Sequence, residues 1–125
     1  MCIRDRRYTA AINGFDSLVV TKLDVLDEFD SIPVCVGYRA GGKELVEMPP
    51  RVACMENVEP VYERLPGWKT STFGMSSYDE LPARAKDYLA FLEARVGVEV
   101  GSVSTGPERT QTIVRAGSRL EALLG

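Results

Sequence analysis

The sequence predicts an α/β domain with a few strands, one clear helix and long loops. Three observations carry this. Two apolar, β-branched runs, Ser17–Asp24 and Ile32–Tyr38, are separated by the acidic connector 27–31. Apolar residues recur at spacings of three and four over 82–96 and nowhere else as clearly. Strands alternating with a single strong helix fit a mixed sheet, but a complete doubly wound domain carries more helices, so the chain reads either as a small, loop-rich fold or as a piece of a larger one.

Taken in order, Met1–Arg7 is charged and lacks useful periodicity, and Tyr8–Gly14 ends in Asn13-Gly14, a signal that closes a helix. Ser17–Asp24 reads as a buried strand running out into a polar loop. Ile32–Tyr38 reads as a second strand, with Pro33 near its start where a missing donor is tolerated. Gly41-Gly42 makes a turn into an edge-like strand over Glu44–Met48, which Pro49-Pro50 breaks. From Arg51 to Trp68 the pattern is irregular and punctuated by Pro60, Pro66 and Gly67, and it reads as mostly loop.

The helix over 82–96 places Ala85, Tyr88, Leu89, Leu92 and Val96 on one face. Pro82 suits its first turn, Gly97 the position past its end, and Asp79 and Glu80 lie near the positive end of its dipole. Val98–Val103 reads as a strand, Ser104-Thr105-Gly106-Pro107 as a turn, Thr112–Val114 as a further extended segment and Leu120–Leu124 as a short terminal helix. Both long strand runs read as buried on two faces. A chain that lacks their partners then shows open edges and apolar patches that favour association.

Composition narrows the function. The chain has 125 residues, a net charge of −3 with both signs mixed along it, and no basic stripe of the kind nucleic-acid binders carry. No apolar run spans a bilayer and no signal pattern opens the chain, so a cytoplasmic location with no membrane partner is expected. Cys2, Cys35 and Cys54 are too few and too scattered for a zinc site, and Cys35, inside Val34-Cys35-Val36, reads as a buried small hydrophobe. There is no histidine, which removes the commonest general acid/base from any mechanism confined to these residues.

Two motifs carry chemistry. Thr21-Lys22-Leu23-Asp24 follows an apolar run. An ionised aspartate offers two acceptor oxygens and no donor, matching the adjacent N1–H and N2–H₂ donors of guanine and not the edge of adenine. Lys22, two residues earlier, points to the same side of an extended chain, where its aliphatic stem can cover a base. Ser104-Thr105-Gly106-Pro107-Glu108-Arg109 also follows an apolar strand, and its glycine lets backbone N–H groups approach a ligand oxygen such as guanine O6. On spacing alone the first motif is more often a solvated loop and the second more often a plain turn. No G-x-x-x-x-G-K-[ST] loop accompanies them, which argues strongly against a self-sufficient P-loop GTPase. Asp24 and Asp27 read as a hydrated acidic loop before they read as paired acids, Trp68 as a partly buried loop anchor before a stacking platform, and Arg84, Lys86 and Arg95 as the solvated side of the helix.

The run Ile12-Asn13-Gly14-Phe15-Asp16-Ser17-Leu18-Val19-Val20-Thr21-Lys22-Leu23-Asp24-Val25-Leu26-Asp27 resembles the guanine-binding segment of the adenylosuccinate synthetases. Val34-Cys35-Val36-Gly37-Tyr38, Pro60-Val61-Tyr62-Glu63, Pro66-Gly67-Trp68, Leu81-Pro82, the helix ending at Gly97 and Ser104-Thr105-Gly106-Pro107-Glu108-Arg109 follow in that family's order. The resemblance runs from about residue 7 to Arg115. It implies the C-terminal portion of a larger P-loop-like mixed-sheet fold, with 7–125 the guanine-nucleotide-recognition part and 1–6 an unmatched junction.

It further implies the activity of that family, a GTP-dependent ligase that joins L-aspartate to IMP with Mg²⁺, serves AMP synthesis and works as a homodimer. Lys22, Leu23 and Asp24 would lie along the guanine of GTP, and Ser104, Thr105 and Gly106 would close its other side. The family's phosphate loop, catalytic aspartate (also its Mg²⁺ ligand), catalytic histidine and arginine-rich loop have no counterpart here. The chain is therefore expected to be a truncation, inactive alone, with no catalytic or metal residue of its own. A free-standing guanine-nucleotide-binding module and a mixed α/β domain without a ligand stay open as alternatives.

Overall fold

A computed structural model describes Arg6, Ala10, Gly14, residues 16–45 and residues 58–125. Six strands form two three-stranded sheets. The first has the order β1-β5-β6, from Ser17–Val20, Glu99–Ser104 and Thr112–Val114. Here β1 runs parallel and β6 antiparallel to the central β5. The second, antiparallel throughout, has the order β3-β2-β4, from Lys43–Leu45, Ser31–Ala40 and Val58–Pro66. Helix α1 (Ala83–Val96) lies against β5, as does the short terminal helix α2 (Arg119–Leu124). The mixed α/β class and its one long helix are as expected.

One core joins both sheets. It gathers Ile32 and Val34 of β2, Val100 and Val103 of β5, Ile113 of β6, Ala85, Leu89 and Val96 of α1, and Leu23, Trp68 and Leu81 from connecting segments. The predicted helical face is the buried one, with Tyr88 and Leu92 half-buried at its margin. Pro82 is the residue before the first turn, and Gly97, in the left-handed region at φ 82°, closes the last. Leu89 is almost fully enclosed. Leu89→Ala should therefore cost about 2–5 kcal/mol of stability, measured as a lower denaturation midpoint with an unchanged far-UV spectrum of the folded state.

Four sequence expectations need correction. Residues 58–66 form β4, a nine-residue strand paired with β2, where a loop was expected. Among the described strands β4 has a neighbour on one side only, which is where prolines such as Pro60 and Pro66 are accommodated. β1 stops at Val20, four residues short of Asp24, because Lys22 takes a left-handed backbone (φ 57°, ψ 45°) and turns the chain into a 3₁₀ turn over Leu23–Leu26.

Burial on both faces is met in neither long strand. Val19 of β1 is 59% exposed, and Pro33 and Arg39 of β2 face outward. Cys35 is half-buried rather than buried, displaced by a bulge at which Cys35 pairs Tyr62 and Gly37 pairs Val61.

Asp79 and Glu80 form a separate 3₁₀ turn (Tyr78–Glu80), whose Glu80 carboxylate accepts the N–H groups of Ser76 and Ser77. Strand β3 covers Lys43–Leu45 of the expected third strand, and Val46–Met48, like Cys2, Cys54 and Pro49-Pro50, lies outside the described residues. At the N-terminal side Ala10 is helical and the Gly14 N–H donates to its carbonyl at 2.9 Å, as a closing turn requires.

Side chains tie α1 to its surroundings. Glu93 accepts the Val100 N–H at 2.8 Å and pairs with Arg115, whose guanidinium stands 5.2 Å from the Tyr78 ring centre. Burial pushes the Tyr78 phenol above its ordinary 10.0, with Arg115 opposing the rise and Glu93 adding to it. Arg84, Lys86 and Arg95 lie on the outer side of α1 as expected, yet each has a partner: the Gly67 carbonyl, the Asp79 carbonyl and the Glu63 carboxylate. Among the described residues no helix is long and apolar enough to cross a membrane.

Candidate functional site

The two motifs meet. Lys22 donates its backbone N–H to Ser104 Oγ at 3.0 Å across 82 positions of sequence. The parallel pairing of β1 with β5 explains this, because their ends, Val20 beside Val103, lie side by side and both segments leave the sheet there. Ligand sites in open α/β sheets favour this position, beyond the carboxyl ends of parallel strands.

Lys22 is one of two described non-glycine residues with positive φ, a conformation that costs about 1 kcal/mol and is kept where the surroundings impose it. The expectation that Lys22 and Asp24 share one side of an extended chain fails for this reason. Asp24 instead sits in the first turn of the Leu23–Leu26 3₁₀ segment.

Asp24 Oδ1 is buried with no hydrogen-bond partner among the described residues. A buried acceptor left unpaired costs about 1–3 kcal/mol. Ser104 Oγ accepts from Lys22, and among the described residues its own proton donates to no group, so it retains one donor.

Leu23 and Thr105 are wholly enclosed at 0% exposure. Thr105 spends its N–H on the Gln111 carbonyl at 2.8 Å, and its single hydroxyl proton is shared between the carbonyls of Met75 (2.8 Å) and Gln111 (3.1 Å). Both residues back the site from behind, while Lys22, Asp24, Ser104 and Gly106 keep exposed surface. A side chain at Gly106 would run into Gln111, whose Oε1 lies 2.2 Å from where a Cβ would stand.

Asp27 departs from its expected role in a hydrated acidic loop. Its carboxylate takes three hydrogen bonds, each of 2.7 Å, from Trp68 Nε1, Thr72 Oγ1 and the Thr72 N–H. Trp68 is the loop anchor expected of it, 7% exposed, with its ring 5.9 Å from that of Tyr88. Burial raises the Tyr88 phenol above its ordinary 10.0. An open polar cleft lies alongside, lined by Asp24, Asp27, Glu28, Lys69, Thr70 and Ser71. Among the described residues no group of three His, Cys, Asp or Glu side chains could hold a metal ion.

Residues 4–113 match the family model of adenylosuccinate synthetase, beginning inside the segment read as a junction. The chain belongs to the adenylosuccinate synthetase family. It is 76% identical over 119 residues to the adenylosuccinate synthetase of Solibacter usitatus, covering 95% of this chain and 27% of that protein. It is 52% identical over 107 residues to that of Koribacter versatilis, covering 86% of this chain and 24% of the relative.

A solved structure of fully ligated adenylosuccinate synthetase from Plasmodium falciparum superposes with a TM-score of 0.86 at 33% identity. It covers 92% of this chain and 28% of that one. The chain thus spans about a quarter of the length of the adenylosuccinate synthetases it matches. Its two sheets and single long helix are consistent with a fragment of the synthetase fold.

Proposed function

We propose that these residues form the guanine-recognising part of an adenylosuccinate synthetase, the ligase that joins L-aspartate to IMP at the expense of GTP in AMP synthesis. The observation that carries this is the unpartnered buried carboxylate oxygen of Asp24, in a turn that the Lys22 hydrogen bond joins to Ser104. A carboxylate paired with one hydroxyl donor is the complement of guanine, whose N1–H and N2–H₂ donate and whose O6 accepts. Adenine presents an acceptor at N1 and lacks the N2 amino group, so it would leave the Asp24 charge buried and unpaired.

In this account Asp24 accepts from N1–H and N2–H₂, and Ser104 and the Gly106 backbone serve O6. The Lys22 stem covers the ring face, and Leu23 and Thr105 hold the two segments in place.

Phosphoryl transfer needs positioning and charge stabilisation, and the proposed share of these residues is positioning of the donor. The chain carries no histidine, and the bond-making groups are assigned to residues beyond it. Mg²⁺ would neutralise phosphate charge in the complete enzyme. IMP, L-aspartate, a homodimeric assembly and a cytoplasmic location belong to the same proposal.

The test is displacement of a fluorescent guanosine diphosphate from this chain by guanosine, inosine and adenosine diphosphates. Guanosine diphosphate should compete best and adenosine diphosphate worst, by about a hundredfold. Equal competition by all three would contradict the proposal.

A further inference from the structure

We infer that Asp27, through Thr72, is a positioning residue for base selectivity: a hydrogen-bonded circuit through the 68–75 segment sets the two halves of the guanine site against each other. This rests on the guanine site proposed above. The circuit can be followed bond by bond. The Asp27 N–H donates to the Asp24 carbonyl at 3.2 Å, joining Asp27 to the turn that carries the selective carboxylate. The Asp27 carboxylate then accepts both donors of Thr72, its N–H and its hydroxyl, at 2.7 Å. The Thr72 carbonyl accepts the Met75 N–H at 3.1 Å, and the Met75 carbonyl accepts the Thr105 hydroxyl at 2.8 Å. Thr105 adjoins Ser104, and Ser104 Oγ accepts the Lys22 N–H, which returns the circuit to its start.

Thr72 and Thr105 are both 0% exposed, so their bonds are shielded from bulk water. The two bonds from Thr72 to the Asp27 carboxylate, each of 2.7 Å, are the shortest in the circuit. A second carbonyl link, Gly74 N–H to the Thr105 carbonyl at 3.4 Å, runs beside it. The 68–75 segment is therefore the brace between two recognition motifs that have one direct hydrogen bond between them among the described residues.

Asparagine cannot replace Asp27. Every partner group of the carboxylate is able to donate, and an amide turned either way sets its own NH₂ against the Thr72 N–H or the Trp68 indole N–H.

The experiment measures the ratio of guanosine to inosine diphosphate affinity for the chain and its variants, with thermal unfolding in parallel. These two ligands differ only in the N2 amino group that Asp24 is proposed to read. Asp27→Asn and Thr72→Val should each lower the ratio about tenfold, and Thr72→Ser, which keeps the hydroxyl, should restore it. A bond that serves stability alone would lower the unfolding temperature and leave the ratio in the folded protein untouched. That result in both variants overturns the inference. If Asp27→Asn does not fold, Thr72→Val read against Thr72→Ser decides. A ratio lost in Asp24→Asn but kept in Thr72→Val overturns the positioning role alone. A ratio kept even in Asp24→Asn overturns the guanine site and the positioning role with it.

Discussion

Asp24→Asn should lower guanosine diphosphate affinity by about 10–100-fold, the range for removing a hydrogen bond to a charged acceptor, while the chain stays folded. The substitution keeps the size of the side chain and changes one acceptor into a donor. Guanine then meets NH₂ with one of its two donors. Xanthine, which carries N1–H beside an O2 acceptor, becomes the matched base. The variant should therefore gain xanthosine diphosphate binding as it loses guanosine diphosphate binding, a crossover that general destabilisation cannot produce. Stability should change little or improve, because Asp24 Oδ1 is an unpaired buried acceptor in the unliganded protein. Parallel losses for both nucleotides, or no loss for either, would show that Asp24 does not read the base.

Gly67→Ala should be the most destabilising single methyl group in the described chain, at about 3 kcal/mol or more. A Cβ there would stand 1.7 Å from the Phe29 carbonyl oxygen and 2.8 Å from its carbon, both backbone atoms that have no rotamer to escape through. The Gly67 N–H is also bonded to the Asp30 carbonyl at 2.9 Å and its carbonyl to Arg84 at 3.0 Å, so the strand end cannot swing away cheaply. The displacement would propagate to the next residue, Trp68, and so to Asp27, and the folded fraction should bind guanosine diphosphate more weakly. Urea denaturation reads the first effect. A midpoint equal to that of the unsubstituted chain would mean that the 29–31 and 66–68 segments separate without cost.

The difference between what the sequence made legible and what it hid follows from the range of each interaction. Helix α1 was readable because its signal is local: Ala85, Leu89 and Val96 lie within four turns and one periodicity describes them. Strand β4 was hidden because its prolines signal a break locally, whereas an open edge permits them, and edge position is a property of the whole sheet.

Asp24 and Ser104 were legible as a site only through resemblance to the synthetases, since their meeting depends on a parallel β1–β5 pairing that no local pattern announces. The left-handed Lys22 had no signal either, as lysine lacks the preference for that conformation that glycine or asparagine would have shown.

Asp27 and Thr72 were missed for the same reason at longer range. An aspartate after a turn reads as solvated until the chain returns 41 and 45 residues later with an indole and a threonine to cover it. The pair Pro66-Gly67 was noticed as punctuation. Its necessity, the contact with Phe29, was not.

The central claim is that guanine binds between the Lys22–Asp24 turn and the Ser104–Gly106 turn. Titration of the isotopically labelled chain with guanosine diphosphate, followed by backbone amide resonances, tests it most directly. The account predicts saturable shifts that are largest for residues 22–24 and 104–106, with smaller changes along 68–75 and little in β3 or α2. Shifts confined to other segments, or none at concentrations that saturate the displacement assay, would contradict it.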